Sequence, residues 1–153
     1  MANTYTQIYI QVVFAVSGRE CLITSGFKEE LYKYITGMVR NKKQKLIAIN
    51  GMPDHLHMLI GMKPDMALSE LVGKVKASSS KFINDHRLMR GRFSWQEGFG
   101  AFSYSHSQLG SVARYIENQE AHHAKRSFRQ EYLGLLRKFD LAYGEKYLFK
   151  WME

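Results

Sequence analysis

Cysteine occurs once in the 153 residues, at Cys21, which leaves no disulfide framework and no thiolate metal cage within the chain and fits a reducing compartment. Proline occurs twice, and no Ser/Gly-rich stretch, low-complexity tract or internal repeat is present. Nothing therefore reads as a linker, and one domain spanning residues 1–153 is expected. No apolar run approaches the roughly 20 residues that a bilayer crossing needs. The opening Met1-Ala2-Asn3-Thr4-Tyr5-Thr6-Gln7 lacks the basic segment and apolar stretch of a signal peptide. A cytoplasmic protein with no membrane partner is the expectation. Acidic residues are the scarcer charge, 14 Asp and Glu against 22 Lys and Arg, for a formal net charge of +8. On a small domain that excess favours polyanionic partners through phosphate contacts and counterion release, although a basic surface also serves solubility alone.

What is present begins with a clear strand. Ile8, Ile10, Val12, Phe14 and Val16 alternate with Tyr9 and Gln11, so one face makes core and the other offers aromatic and amide groups. Thr24 or Ser25 can cap a helix to about Asn41, with Phe27, Leu31, Ile35 and Met38 as its apolar stripe. A strand over Lys45–Asn50, a turn at Gly51-Met52-Pro53-Asp54 and a strand over His55–Met62 follow, antiparallel because the connection is short. Pro64-Asp65 opens a second helix striped by Leu68, Leu71, Val72, Val75, Phe82 and Ile83. The aromatic segment Phe93–Tyr104 reads as a strand or hairpin arm, and Ser107 can cap a third helix through Tyr115 and Gln119. A further amphipathic stretch carries Tyr132, Leu135, Leu136 and Phe139. Strand, helix, two strands, helix, strand, helix predicts an α+β, ferredoxin-like antiparallel sheet with helices on one face and the other face free to hold a site.

The chemistry concentrates in Asp54-His55-Leu56-His57-Met58. Side chains alternate along a strand, so Leu56, Met58, Ile60 and Met62 face the core while His55 and His57 project together from the opposite side. Two imidazoles on one rigid element form either a bidentate metal clamp or a pair of surface histidines. Tyr115 and Gln119 lie four apart on the third helix and share a face. A glutamine carbonyl is a candidate third ligand, and mixed oxygen and nitrogen donors suit Mg²⁺ or Mn²⁺. The Tyr115 phenol is either a nucleophile or a core aromatic; it is protonated at neutral pH, so attack needs a polarised phosphate and a place for the proton.

The run Pro53-Asp54-His55-Leu56-His57-Met58-Leu59 resembles the histidine–hydrophobic–histidine motif of single-tyrosine HUH transposases of insertion sequences, the 200/605 class. Trp95 to Ser105 is similar to the segment before that family's catalytic helix, and Tyr115-Ile116-Glu117-Asn118-Gln119 with His122-His123 resembles the helix itself. The resemblance implies a catalytic tyrosine helix packed on the histidine face. It implies His55, His57 and Gln119 as ligands of a divalent metal, Mg²⁺ or Mn²⁺, and Tyr115 attacking the scissile phosphate of single-stranded DNA. The products would be a 5′-phosphotyrosine and a free 3′-hydroxyl, rejoined by the reverse reaction. Partners implied are DNA hairpins at element ends and a second copy of the chain, in a homodimer whose tyrosine helices act in trans. Inactive His57 and Tyr115 variants would then recover activity when mixed. His122 and His123 compete with Gln119 as third ligand, and Glu97 is another oxygen donor.

For DNA binding, Lys74, Ser78 and Lys81 share one face of the second helix, followed by Arg87, Arg90 and Arg92. Such a stripe also serves as a plain solvated face. Phe99, Phe102 and Tyr104 could stack bases or fill core. Two other functions compete: a non-catalytic single-stranded nucleic-acid or hairpin binder, including a domesticated relative, and a metal-dependent hydrolase using water in place of the tyrosine.

Overall fold

The computed structural model describes residues 3–151; Met1 and Ala2 of the opening stretch, like Met152 and Glu153, lie outside the described residues. Strand β1 (Ile8–Ala15) leads through helix α1 (Lys28–Asn41) to β2 (Lys45–Met52) and β3 (His55–Met62). Helix α2 (Leu68–Asp85) and strand β4 (Gly100–Tyr104) follow. The chain then folds three helices, α3 (Leu109–Glu117), α4 (Gln119–His123) and α5 (Phe128–Lys138). All strand pairings are antiparallel, in the order β2-β3-β1-β4, the ferredoxin-like arrangement that the element order predicts.

Register decides what each face carries. Val13 pairs with His57 and Ala15 with His55, so these side chains share a face with Gln11, which pairs with Leu59 and Phe102. The opposite face presents Val12, Phe14, Leu56, Met58 and Ile60, all fully buried with Leu31 and Ile35 of α1 and Leu71 and Val75 of α2. The histidine face, left free by element order alone, is covered as well, by the tyrosine helix that the resemblance implies and by α5. Val112 and Ile116 of α3 pack on Ala48 and Leu59, while Phe128 and Tyr132 of α5 join Phe102 and Phe149. The result is helix, sheet, helix, with the histidines in the second interior rather than on the surface.

Several boundaries differ from the sequence reading for local reasons. Helix α1 starts at Lys28 because the Thr24 carbonyl takes the amides of Phe27 and Lys28 in a turn ahead of it. Pro64-Asp65 stays in the turn before α2. The aromatic segment pairs continuously only from Gly100; before it, Gly98 sits at φ 83 and interrupts the strand, leaving a single bridge between Val16 and Trp95. Ser105, not Ser107, makes the capping box, with Gln108. Asn118 (φ −98, ψ 30) breaks the predicted third helix, so Tyr115 ends up on α3 and Gln119 opens α4. No helix among the described residues is long and apolar enough to cross a membrane.

Candidate metal and tyrosine site

His55 and His57 are completely buried, and three elements beyond the sheet close around them. Helix α5 supplies the residue at the centre, Glu131, which is itself fully buried. Its Oε1 lies 2.9 Å from His57 Nε2, 3.0 Å from His123 Nε2 and 3.3 Å from His55 Nε2. Its Oε2 accepts from Gln119 Nε2 at 3.1 Å and, in a short hydrogen bond, from the Tyr115 hydroxyl. Burying a carboxylate costs several kcal/mol unless its lone pairs are satisfied, and here four side chains hydrogen-bond to it, with His55 Nε2 beside them. A capping box between Ser127 and Gln130 fixes the start of α5 at Phe128, three residues ahead of Glu131.

Behind the histidines sits a second set of contacts. His55 Nδ1 meets Asp54 Oδ1 at 2.7 Å, and the His55 ring stacks on Phe128 at 3.9 Å between centroids. Gln11 joins His57 Nδ1 at 2.9 Å and accepts from the Tyr104 hydroxyl at 2.8 Å. No buried side-chain nitrogen or oxygen among the described residues lacks a hydrogen-bond partner.

These contacts set the charges. Burial opposes ionisation of Glu131, but hydrogen bonds from His123, His55 and His57 outweigh it and hold the carboxyl well below the usual range. Burial pulls His55 down, yet Asp54 and Glu131 on its two nitrogens leave it raised. For His57 burial wins and the imidazole is lowered, with the neighbouring His55 and His123 charges adding to the effect. The Tyr115 phenol is pushed up by burial and by the Glu131 charge, against the pull of Arg126. It is therefore a protonated phenol whose proton already points at a carboxylate.

The donor set fits a divalent cation. If His55 Nδ1 donates to Asp54, its Nε2 is a bare lone pair, and that lone pair faces Gln119 Oε1 at 3.1 Å and Glu131 Oε1 at 3.3 Å. Acceptors facing acceptors in a buried site call for a proton on Nε2 or a cation between them. One ligand atom from each of His55, His57 and Glu131 lies within 4.8 Å of the others. Ligation through His57 Nε2 places the ring proton on Nδ1, and Gln11 can accept it by turning its amide over.

Of the residues expected from sequence, His55, His57, Tyr115 and Gln119 converge, and His123 joins through Glu131. His122 instead packs on the Tyr115 ring, 4.3 Å between centroids. Glu97 lies in a different cleft, with Gly98 and Tyr143. Phe102 is 2% exposed and is core. Lys74, Ser78 and Lys81 sit on α2, across the sheet from the histidines, with Lys74 3.9 Å from Glu70 and Lys81 paired to Asp85. Arg87, Arg90 and Arg92 are exposed just beyond that helix and are not brought to the site either. Sequence reading missed Glu131. The available signal was its position: Phe128, Glu131, Tyr132, Leu135 and Leu136 form one buried stripe on α5, and a carboxylate inside such a stripe needs partners.

Fold and site together define an α+β protein with a histidine–carboxylate–tyrosine centre buried between a ferredoxin-like sheet and its outer helices. The chain belongs to the IS200-like transposase family, whose sequence model matches residues 4–119. The ISDra2 transposase TnpA of Deinococcus radiodurans is 21% identical over 118 residues, covering 74% of this chain and 84% of that protein. A crystal structure described as a transposase from Deinococcus radiodurans R1 superimposes with a TM-score of 0.62 at 19% identity, over 78% of this chain and 95% of that one. A REP-associated tyrosine transposase bound to a REP hairpin gives a TM-score of 0.56 at 14% identity, over 76% and 68%. Membership in a transposase family implies a DNA-cleaving enzyme. The match ends at Gln119, so His123, Arg126 and Glu131 all lie beyond it.

Proposed function

We propose that the protein cleaves and rejoins single-stranded DNA through Tyr115, with a divalent metal held by His55, His57, Gln119 and Glu131. The observation that carries this reading is Glu131, whose two oxygens join the histidine pair to the tyrosine hydroxyl in one buried cluster. A cation bound there would act as a Lewis acid on a phosphate oxygen. Asp54 orients His55, and Gln11 orients His57. Glu131 receives the hydrogen bond of the phenol and can hold its proton as the tyrosine oxygen attacks. The covalent phosphotyrosine conserves the phosphodiester bond energy, so rejoining to a 3′-hydroxyl needs no nucleotide cofactor.

As substrate we propose strands carrying a DNA hairpin, on the strength of the similar protein described as bound to a REP hairpin. The net charge of +8 agrees with a phosphate backbone as partner. Incubating labelled single strands from both flanks of the gene with protein and Mg²⁺ or Mn²⁺ tests the reading on a denaturing gel. The expected result is a covalent adduct that maps to Tyr115 and disappears with chelator, with Tyr115→Phe and with His57→Ala. Tight hairpin binding without an adduct would instead make the protein a non-catalytic binder. Cleavage that survives Tyr115→Phe would make it a hydrolase.

A further inference from the structure

Arg126 lies in the short connection between α4 and α5, and its Nη2 donates to the Tyr115 phenol oxygen at 3.2 Å. Two clefts meet at this residue. One, of about 480 Å³, runs past Gln11, Tyr104, Tyr115 and Glu131 to Lys138. The other, of about 380 Å³, runs past Asp54 and His123 to Arg19, Arg129 and Trp151. Among the described residues that line them, Arg126 alone belongs to both. Each cleft adds a cation of its own, Lys138 on one side and Arg19 and Arg129 on the other. A polyanion following this path from one cleft to the other crosses the guanidinium beside the tyrosine oxygen.

We propose that Arg126 is a catalytic residue that grips the scissile phosphate, with the DNA strand laid through both clefts across it. This rests on the reading of Tyr115 as nucleophile. An attacking oxygen approaches phosphorus to about 3 Å before bond formation. A guanidinium already 3.2 Å from that oxygen is then in reach of a non-bridging phosphate oxygen. Arginine stays charged at any working pH and offers a planar fork, so one N–H remains on the phenol oxygen while others take the phosphate. In the step itself the phenol oxygen bonds to phosphorus, and the P–O3′ bond breaks with its electron pair leaving on O3′. The proton given up by the phenol equals the one the 3′-hydroxyl carries away. Negative charge grows on the non-bridging oxygens as phosphorus becomes five-coordinate, and Arg126 meets it there.

Single-turnover cleavage of hairpin-bearing strands from the gene flanks separates this role from a structural one. Two substrates are compared, one with an ordinary phosphodiester at the scissile step and one with a methylphosphonate, which lacks the non-bridging charge. Arg126→Ala should slow phosphodiester cleavage by about 100-fold, with strand affinity changed only a few-fold and Arg126→Lys recovering part of the rate. On the methylphosphonate the penalty should shrink to a few-fold. An equal penalty on both substrates would assign Arg126 to holding Tyr115 or the fold, and an unchanged rate in Arg126→Ala would remove it from the reaction. If the wild-type protein forms a Tyr115 adduct and either of these results follows, only this inference fails. If the wild-type protein forms no adduct at all, the tyrosine reading fails and takes this inference with it.

Discussion

Glu131 concentrates more of the site's energetics than either histidine, because removing its charge leaves three imidazoles converging on one point without a counter-charge. Glu131→Gln keeps the volume and one acceptor oxygen. We expect at least ~10-fold weaker divalent-metal binding in that variant, the scale seen when a residue supporting a metal site is lost. Gln119→Ala should weaken binding less, and His123→Ala least, since His123 bonds to the cluster through Glu131 and otherwise packs its ring on His55, 4.7 Å between centroids. Mn²⁺ titration followed calorimetrically checks the order; His123→Ala as the most damaging change would move the ligand set onto that imidazole. The metal-free protein should also be acid-sensitive. The Glu131 carboxyl is depressed in the fold, so its contribution is complete above the unfolded carboxyl pKa of about 4.3 and is lost as pH falls toward the folded value.

At the scale of elements, β1, β3 and the two helices on their far side were legible because each carries one dominant period: two for the strands, near four for α1 and α2. The histidine pair was legible for the same reason. Less visible was the C-terminal half of the site, where two short helices meet at Asn118 and α5 hides a carboxylate among aromatic and leucine positions. Single-sequence periodicity places residues on faces, but says nothing about which helix will cover a given sheet face. The close fit of α5 shows at Gly100, where a Cβ would stand 2.5 Å from the Tyr132 hydroxyl oxygen and 2.8 Å from its ring. Gly100→Ala should therefore cost roughly 1–3 kcal/mol through overpacking. Chemical denaturation measures it, and adding Tyr132→Phe should recover part of the loss. A Gly100→Ala variant as stable as the parent would mean that α5 rides more loosely on the sheet than its contacts indicate.

For the molecule as a whole, the question is whether one chain suffices. Helix α3 packs on β2 and β3 of its own chain, and the Tyr115 ring lies 6.1 Å from the His57 ring between centroids. The resemblance implies exchange of this helix between two copies, whereas the geometry already provides both halves in one. Mixtures of His57→Ala and Tyr115→Phe proteins should accordingly stay inactive in the adduct assay. Recovery on mixing, in proportion to heterodimer formed, would show that α3 leaves its place to serve a partner.

The alternation along β3 reaches beyond the placement of two histidines. His55, His57 and Leu59 look toward the tyrosine helices, while Leu56, Met58 and Ile60 look toward α1 and α2, so a single strand interleaves two texts written in alternate letters. A substitution at one position garbles only its own text. An insertion or deletion of one residue exchanges them, sending imidazoles into the hydrocarbon layer and leucine and methionine toward Glu131 and the tyrosine. Within this strand, then, chemistry can drift letter by letter, but its length is not free to change.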